Sequence, residues 1–286
     1  MQCQLNFYNA DQNWLTRWFT IEYTLWFDLL LPGMQRAQAA IPLGGTSNHF
    51  RRDLLERLRA WDPYNVTEDA DLGVRLAKCG YRTAVIDSTT YEEANPALGN
   101  WIRQRSRWIK GYMQTWLVHM RHPVQLWRDL GPRGFASVQF MLGDTCLILL
   151  LNPIYWGLTA VWFASRWAGI QALFPGPVFY LGGLALYLGN FVFIYCSMAS
   201  VLARRSYGLL RYTLLSPLYW LLMSIAALKA LGQLITRPHY WEKTHHGLAH
   251  EPLPVPVSAP PPLRAVPREA PLRELAPAET IPLSAD

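Results

Sequence analysis

The chain has 286 residues, of which 51% are hydrophobic, 13% aromatic and only 16% charged. This composition excludes a mostly disordered protein and is more typical of a bilayer protein than of a cytosolic enzyme. The formal net charge of +6 comes without zinc-finger spacing or a long basic run, so it argues against a nucleic-acid partner. The four cysteines are scattered without a C-x-x-C pair, which predicts free thiols and a cytosolic soluble part.

Residues 1–135 are predicted to form a soluble α/β piece, and the N-terminus lacks the basic and apolar regions of a signal peptide. Leu72, Leu76 and Cys79 share one face of a helix predicted over 68–79, which ends at Gly80, a natural C-terminal cap. Residues 81–87 (Y-R-T-A-V-I-D) predict a short buried strand. These units are too few for a complete nucleotide-binding sheet, so we expect the rest of the sheet to lie upstream.

Three apolar runs follow, at 137–165, 177–203 and 209–235. Because they succeed one another with few charges, they predict a transmembrane region over residues 136–236 rather than buried core helices. The arginines between the second and third runs predict that this loop is cytosolic. The number of crossings and the side of the C-terminal tail stay open.

The C-terminal stretch at 251–286 is rich in proline and has no apolar periodicity. This pattern predicts a disordered, partly polyproline-like tail.

The first constellation with a chemical interpretation is Thr67-Glu68-Asp69. Threonine is a good N-cap and acidic residues are favoured in a first helical turn, so a plain helix start explains it. A carboxylate at a helix start can also take the proton from an attacking sugar hydroxyl. Both interpretations remain open for the isolated motif.

The second constellation is Q-R-S-R-W at 104–108. One interpretation is a basic amphipathic helix on the membrane surface, since the motif precedes the apolar half. In the other, an arginine holds a departing diphosphate and the indole offers a flat face to a sugar ring.

The third constellation is the loop Gly44-Gly45-Thr46-Ser47-Asn48. The glycines permit close backbone approach, and the three polar side chains suit a polyol ligand. An ordinary turn before a helix near 53–60 explains the loop equally well.

Together, the order G-G-T-S-N, T-E-D, Q-x-x-R-W and then apolar spans resembles the processive family 2 glycosyltransferases, which are the cellulose, chitin and hyaluronan synthases and their bacterial relatives. The resemblance covers residues 1–248. It implies a GT-A (Rossmann-like) α/β catalytic domain on the cytosolic face of an inner or plasma membrane, followed by transmembrane helices. It also implies inverting transfer of a sugar from a nucleotide donor to a carbohydrate or lipid-linked acceptor.

The resemblance also implies roles for individual residues. Asp69, with Glu68 and Thr67, would form the general-base motif. Gln104 and Arg107 would contact the nucleotide diphosphate, and Trp108 and the loop Gly44, Gly45, Thr46, Ser47 and Asn48 would contact the acceptor. Residues 237–250, with Y-W-E-K-T at 240–244, resemble a gating segment in which Thr244 would contact the nucleotide; the alternative is that Trp241 anchors a helix end at the membrane interface.

One departure from the family is large. Its members carry a nucleotide-binding acidic residue and a metal-binding Asp-x-Asp pair, and no Asp-x-Asp occurs in residues 1–60. We therefore expect a divalent metal, Mg²⁺ or Mn²⁺, in the complete enzyme but no metal ligand in this chain. The chain would be a fragment, a product of a misassigned start or half of a split enzyme.

Two other functions remain open at this stage. The first is a truncated, non-catalytic relative that acts as a subunit of a membrane complex, and the second is a small transporter. The transporter gives no reason for T-E-D and Q-x-x-R-W in the soluble part. Membrane lipid, and for a polysaccharide product export subunits, complete the set of expected partners.

Overall fold

A computed structural model of the chain describes residues 1–173 and 176–249, so the predicted tail at 251–286 lies outside the described residues. Two strands, β1 (Gln2–Phe7) and β2 (Val85–Glu92), pair in parallel. The helices of the first half are α1 (Trp14–Thr24), α2 (Leu31–Arg36), α3 (Arg52–Arg57), α4 (Glu68–Lys78) and α5 (Leu98–His119). The helices of the apolar half are α6 (Pro123–Val138), α7 (Thr145–Ser165), α8 (Ala168–Leu173), α9 (Gly176–Leu184), α10 (Asn190–Ala203), α11 (Leu210–Thr213) and α12 (Ser216–Thr236).

Short π-helical segments join several of these helices end to end. They connect α1 to α2, α6 to α7 and α9 to α10, and they lie at Leu25–Leu30, Gln139–Asp144 and Ala185–Gly189. A 3₁₀ turn at Tyr207–Leu209 precedes α11. The described part of the chain is therefore mostly helical.

The structure confirms one of the elements predicted around α4 and corrects the bounds of two others. The predicted helix is confirmed, and Gly80 beyond it has a φ of +77°, which glycine adopts at little cost. The strand predicted at 81–87 is wrong in position, because the Tyr81 N–H still bonds to the Leu76 carbonyl at 3.0 Å and so completes the helix end. The β-branched residues that favour a strand continue beyond residue 87, and β2 follows them to Glu92. The helix predicted near 53–60 is shorter, since α3 ends at Arg57.

Apolar packing joins the two halves. In one cluster, Phe19 of α1, Trp101 of α5 and Tyr219 of α12 are all nearly or completely buried. In another, Ile109 of α5 packs with Ala226 of α12. Burial of large apolar side chains is the main favourable term in folding, so α5 is held between the first half and the apolar half.

Three helical rods are long and apolar enough to cross a membrane: Pro123–Ser165, Gly176–Ala203 and Ser216–Thr236. They account for the three apolar runs of the sequence, although the third rod begins at residue 216 rather than 209. The first rod is kinked at Gly131, whose φ is +64°. The domain boundary predicted between residues 135 and 136 falls inside α6, nine residues before α7 begins at Thr145.

Candidate active site

The T-E-D motif lies at the start of α4 and packs directly on α5. Thr67 is buried, and a Cβ added to Gly111 of α5 would overlap its side chain. The Thr67 N–H donates to Asn65 Oδ1 at 3.0 Å, and within the described residues the Thr67 hydroxyl makes no capping hydrogen bond to α4. Helix capping by Thr67 therefore does not explain its position, whereas close packing on α5 does.

Asp69 is half-buried, and its Oδ1 accepts a hydrogen bond from the Ala70 N–H at 2.8 Å. Burial raises the pKa of Asp69 to about 6; the charge of Glu68 acts in the same direction, while the Ala70 hydrogen bond and the charge of Arg107 oppose it. A carboxylate with a pKa near neutrality can take up a proton and remain largely ionised at physiological pH. This is the electrostatic state that a general base requires.

A second carboxylate fixes the orientation of α4. Asp71 is buried and bonds to His119 Nε2 at 2.9 Å and to Arg75 Nε at 2.7 Å. Burial alone would raise the pKa of Asp71, but the hydrogen bond from His119 and the charge of Arg75 outweigh it and lower the pKa. Asp71 therefore remains ionised in this network, which ties α4 to the end of α5. The sequence did not single out this pair.

Arg107 of α5 lies on the same side as the predicted base, where the charges of Glu68 and Asp69 act on its guanidinium. Its Nε atom and the Oε1 atom of Gln104 are both buried without a hydrogen-bond partner among the described residues. Buried polar atoms are normally paired. Of the two residues predicted to contact diphosphate, Arg107 thus has an unused donor, whereas the unused atom of Gln104 is an acceptor.

Arg105 points to the opposite side of α5. Its guanidinium forms a bidentate ion pair with Glu22 of α1, and it also donates to the Tyr219 hydroxyl of α12 at 2.9 Å. Arg105 is only 5% exposed. The interpretation of Q-R-S-R-W as a plain basic surface helix is therefore wrong for this arginine, which is an internal connector of three helices.

Trp108 is half-buried rather than open to solvent. The Arg105 guanidinium lies 4.8 Å from the centre of its ring, and the rings of Phe19 and Tyr23 lie 6.1 and 6.4 Å away. These contacts fix the orientation of the indole. Its predicted stacking on an acceptor sugar stays a prediction.

The G-G-T-S-N loop lies against β1 beside the T-E-D motif. Gln2 fixes the loop, since its Oε1 accepts from the Gly44 N–H at 3.0 Å and its Nε2 donates to the Thr46 carbonyl at 2.9 Å. A Cβ added to Gly45 would lie 3.2 Å from Asp69 Oδ2. The predicted acceptor loop and the predicted base are therefore neighbours, and glycine permits their close approach.

The other end of this loop is also fixed. Ser47 has a φ of +56°, and its hydroxyl lies 2.6 Å from that of Thr90 in β2. Asn48 Nδ2 donates to the Gly44 carbonyl, and Asn48 Oδ1 is buried without a partner among the described residues. The loop is thus an ordered feature with one more unused acceptor atom.

The C-terminal strap, residues 237–249, crosses back over α5. Trp241 lies with its ring centre 4.5 Å from the Arg107 guanidinium. Gln114 Nε2 donates to the Pro238 carbonyl at 2.9 Å, and Asn100 exchanges two hydrogen bonds with the backbone of His245, at 2.8 and 3.0 Å. The segment predicted to gate the site therefore lies beside the residue predicted to hold diphosphate.

The far end of the strap is held by a single carboxylate. Glu93 accepts from the N–H groups of Gly247 and Leu248, both at 2.6 Å. Thr244, the predicted nucleotide contact, has its hydroxyl 3.4 Å from His246 Nε2. Its role toward a nucleotide stays a prediction.

Comparisons with known proteins identify the family. A family model described as "Glycosyl transferase family group 2" matches residues 1–233. The chain belongs to this glycosyltransferase family. It is 34% identical over 156 residues to the "Probable glycosyltransferase YdaM" of Bacillus subtilis, a match that covers 51% of this chain and 36% of that protein. It is 25% identical over 119 residues to the "Beta-monoglucosyldiacylglycerol synthase" of Synechocystis sp., which covers 40% of this chain and 25% of that protein.

No solved structure matches the chain closely enough to add to these comparisons. The matched part spans about a third of the length of one relative and a quarter of the length of the other, 36% and 25%. Membership of the glycosyltransferase family implies a GT-A α/β fold. It does not distinguish the processive synthases from other members.

The glycosyltransferase family resemblance predicts a divalent metal in the complete enzyme, and the described residues can be tested for its ligands. Residues 1–173 and 176–249 contain no group of three or more His, Cys, Asp or Glu side chains placed to hold an ion. Asp69 and Asp71 do not form such a group, since Asp71 is engaged by Arg75 and His119. These residues do not fit the metal, and we derive no step through it.

The sequence did not reveal the side chains that hold the candidate site together. Gln2, Glu22, Asn100 and Asp71 are ordinary polar residues in the sequence, and each acts through partners far along the chain. Glu93 was visible as half of an acidic pair, for which a surface turn was the favoured explanation. Only the contacts in three dimensions reveal these roles.

Proposed function

We propose that the chain forms the acceptor side of a membrane-integrated, inverting glycosyltransferase that is processive and uses a nucleotide sugar. The observation that carries the proposal is the placement of Asp69. A carboxylate with a pKa of about 6 lies beside the Gly45 loop and on the same side of α5 as Arg107. A base, an acceptor loop and a cation for the leaving group are thus grouped together.

In the proposed reaction Asp69 accepts the proton of an acceptor hydroxyl as the oxygen attacks the anomeric carbon of the donor sugar. The new glycosidic bond forms on the face opposite to the nucleoside diphosphate, and the bond from the anomeric carbon to the phosphate oxygen breaks with its electron pair on the diphosphate. Arg107 and Gln104 donate hydrogen bonds to this leaving group as its charge grows. The configuration at the anomeric carbon is inverted by this single displacement.

The acceptor is a growing polysaccharide or a lipid-linked sugar. Three helical rods long and apolar enough to cross a membrane support an enzyme that works at the bilayer. The name of the Synechocystis relative specifies a glucosylated diacylglycerol, which favours a lipid acceptor as the first compound to test. A polysaccharide product would additionally require export subunits as partners.

The test is sugar transfer by the chain expressed together with its expected donor-binding segment. Membranes are incubated with a panel of UDP- and GDP-sugars and with diacylglycerol or oligosaccharide acceptors, and nucleoside diphosphate release is measured. We expect Asp69→Asn to lower turnover by about 10² to 10⁴ with little change in donor binding, because an amide cannot accept the proton. Asp53→Asn, on the exposed helix α3, is the matched control and should behave as wild type.

Wild-type turnover in Asp69→Asn would show that Asp69 is only a helix-start residue and would sink the proposed mechanism. Failure of every donor in the panel, with the wild-type protein folded and inserted, would favour the second candidate, a non-catalytic subunit of a membrane complex. The short coverage of the relatives, 36% at most, is the observation that keeps this candidate in the test.

A further inference from the structure

Two aromatic side chains in the segment between α3 and α4 are open to solvent, and the proposed mechanism gives neither of them a role. Trp61 is 44% exposed and Tyr64 is 71% exposed. We call residues 61–64 the aromatic segment. Neighbouring aromatic groups that stay exposed in the soluble part of a protein often mark a ligand-binding surface.

The aromatic segment lies between the predicted acceptor loop and the C-terminal strap. On one side, the Trp61 ring meets that of Phe50 edge-on, with ring centres 5.9 Å apart, and Phe50 follows Asn48 of the loop by two residues. On the other side, the Tyr64 ring lies 6.0 Å from that of His239 in the strap. The segment therefore connects two parts of the candidate active site.

The backbone just before Trp61 is held in an uncommon conformation. Arg59 and Ala60 both have a positive φ, +56° and +55°, which is unusual for residues other than glycine. Arg75 of α4 maintains this turn, since its guanidinium donates to the carbonyls of Leu58 and Ala60 at 2.7 and 2.8 Å. Backbone held in this way is concentrated at functional sites, and here it fixes the position of Trp61.

The other end of the aromatic segment is fixed on the predicted general-base motif. Asn65 Oδ1 accepts from the Thr67 N–H at 3.0 Å, and Asn65 Nδ2 donates to Thr115 Oγ1 of α5 at 2.8 Å. Tyr64 precedes Asp69 by five residues, so their Cα atoms are at most about 18 Å apart. A short oligosaccharide that ends at Asp69 can therefore reach the Tyr64 ring.

A carbohydrate is the ligand that this surface suits best. The C–H face of a pyranose ring is apolar and stacks on the rings of Trp and Tyr, which also carry a polar group for hydrogen bonding. The surface around α3 has both signs of charge, with exposed ion pairs between Arg51 and Asp53 and between Arg52 and Glu56. A membrane-binding surface would instead combine apolar groups with an excess of cations.

We propose that Trp61 and Tyr64 form a second acceptor subsite, which stacks on sugar units of the acceptor behind the one that reacts at Asp69. The acceptor is then a chain of several sugars, whether free or lipid-linked. This inference rests on the proposed function, because it extends the same site outward from the base. Stacking at the subsite adds affinity for long acceptors without contact to the reacting atoms.

The first test measures the binding of fluorescently labelled oligosaccharides to the purified 286-residue chain in detergent. The probes are cellohexaose and chitohexaose, because stacking on the C–H face tolerates different substituents on the sugar ring. We expect Trp61→Ala and Tyr64→Ala each to raise the Kd for the better probe about tenfold. Trp61→Phe keeps an aromatic face and should raise the Kd less.

Trp127→Ala is the matched control for the loss of an exposed indole. Trp127 is 49% exposed and meets the ring of Phe135 edge-on at 5.1 Å, much as Trp61 meets Phe50. It lies on α6, outside the aromatic segment. The Kd of Trp127→Ala for both probes should therefore equal that of the wild type.

The second test uses the chain expressed with its expected donor-binding segment, and it compares hexasaccharide with disaccharide acceptors of the same sugar. We expect Trp61→Ala and Tyr64→Ala to raise KM for the hexasaccharide about tenfold with kcat unchanged. Both constants should stay unchanged for the disaccharide, which is too short to reach the subsite. A merely structural role would lower turnover with both acceptors, because a displaced T-E-D motif affects every substrate.

Three results would overturn the subsite: no binding of either probe by the wild type, the same Kd in the wild type and both alanine variants, or equal losses with hexasaccharide and disaccharide. Protection of Tyr64→Cys from a maleimide in the complex with the donor-binding segment would overturn it as well, since that segment would then cover the aromatic segment. This labelling uses a Cys79→Ser background, because Cys79 is exposed. Absence of wild-type turnover with every donor, while the binding pattern holds, would instead count against the proposed catalysis and leave the sugar-binding surface in place.

Discussion

The α9–α10 rod and α12 are both apolar and long enough to cross a bilayer, yet the protein holds them differently. The rod is joined to the first half of the chain by Arg204 at its C-terminal end, whereas α12 is bonded to that half both just before it begins and just after it ends. The composition of a helix indicates whether it can contact lipid, but it does not give the orientation of the helix in the membrane. The orientation is set by the polar contacts at the helix ends, which sequence hydropathy does not contain.

The largest expected effect comes from breaking the connection between α12 and α5. Glu22→Gln removes the carboxylate that pairs with the buried guanidinium of Arg105. Loss of one partner of a buried pair costs about 3 to 5 kcal/mol, and we expect the lower end, about 3 kcal/mol, because the Glu22 side chain retains 29% exposure. In detergent this should lower the midpoint of thermal unfolding by roughly 6 to 12 °C.

The control for this change is Glu56→Gln, which removes an exposed i,i+4 pair with Arg52 on α3 and should cost about 0.5 kcal/mol or less. Equal midpoints for Glu22→Gln and Glu56→Gln would mean that the buried network does not hold α12. A Tyr219→Phe variant, which removes the hydroxyl that accepts from Arg105 and donates to Glu22 but keeps the ion pair, should fall between them.

The next effect concerns the ion pair at the C-terminal end of the α9–α10 rod. Arg204→Gln leaves the Asp28 carboxylate without its ion-pair partner; both side chains are less than a fifth exposed, at 17% and 16%. We expect a loss of about 2 kcal/mol in unfolding free energy, since a partly buried charge is left uncompensated. The neighbouring exposed residue offers the control Arg205→Gln, which should change the unfolding free energy by less than about 0.5 kcal/mol.

Features set by neighbouring residues could be predicted from the sequence, whereas contacts between distant residues could not. Local sequence signals were sufficient to predict helix α4. Gly80 follows its C-terminal end, and Leu72 and Leu76 pack in a buried apolar cluster. The three motifs were found because each is short and contiguous. The Glu22, Arg105 and Tyr219 network was missed because its members lie 83 and 114 residues apart in sequence.

A third prediction tests the face of α5 that is turned toward α4. Gly111→Ala would place a methyl group into the side chain of Thr67, so either the helices separate or Thr67 moves. Overpacking of this kind costs about 1 to 3 kcal/mol, and turnover should fall because the T-E-D motif shifts. Gly99→Ala on the same helix has nothing within 4 Å of the new methyl among the described residues and is the matched control. Equal turnover in the two variants would contradict the close contact between the motif and α5.

The smallest effect is a dependence of turnover on pH, which arises from Asp69. A general base acts when it is deprotonated, and burial raises the pKa of Asp69 to about 6 from its ordinary value of 3.8. The turnover rate should therefore rise with pH through about 6, and it should be about tenfold lower at about pH 5 than at about pH 7. Glu68→Gln removes a negative charge that raises this pKa, so the acid limb of its pH profile should move to lower pH.

The raised pKa of Asp69 also means that the folded state binds the proton of this carboxyl more tightly than the unfolded chain does. The stability from this group is therefore greatest below about pH 4 and is lost as the pH rises through about 6, a trend that Asp69→Asn should remove from the thermal unfolding midpoint. An acid limb near pH 4 in the wild type, unchanged in Glu68→Gln, would mean that Asp69 is not the base.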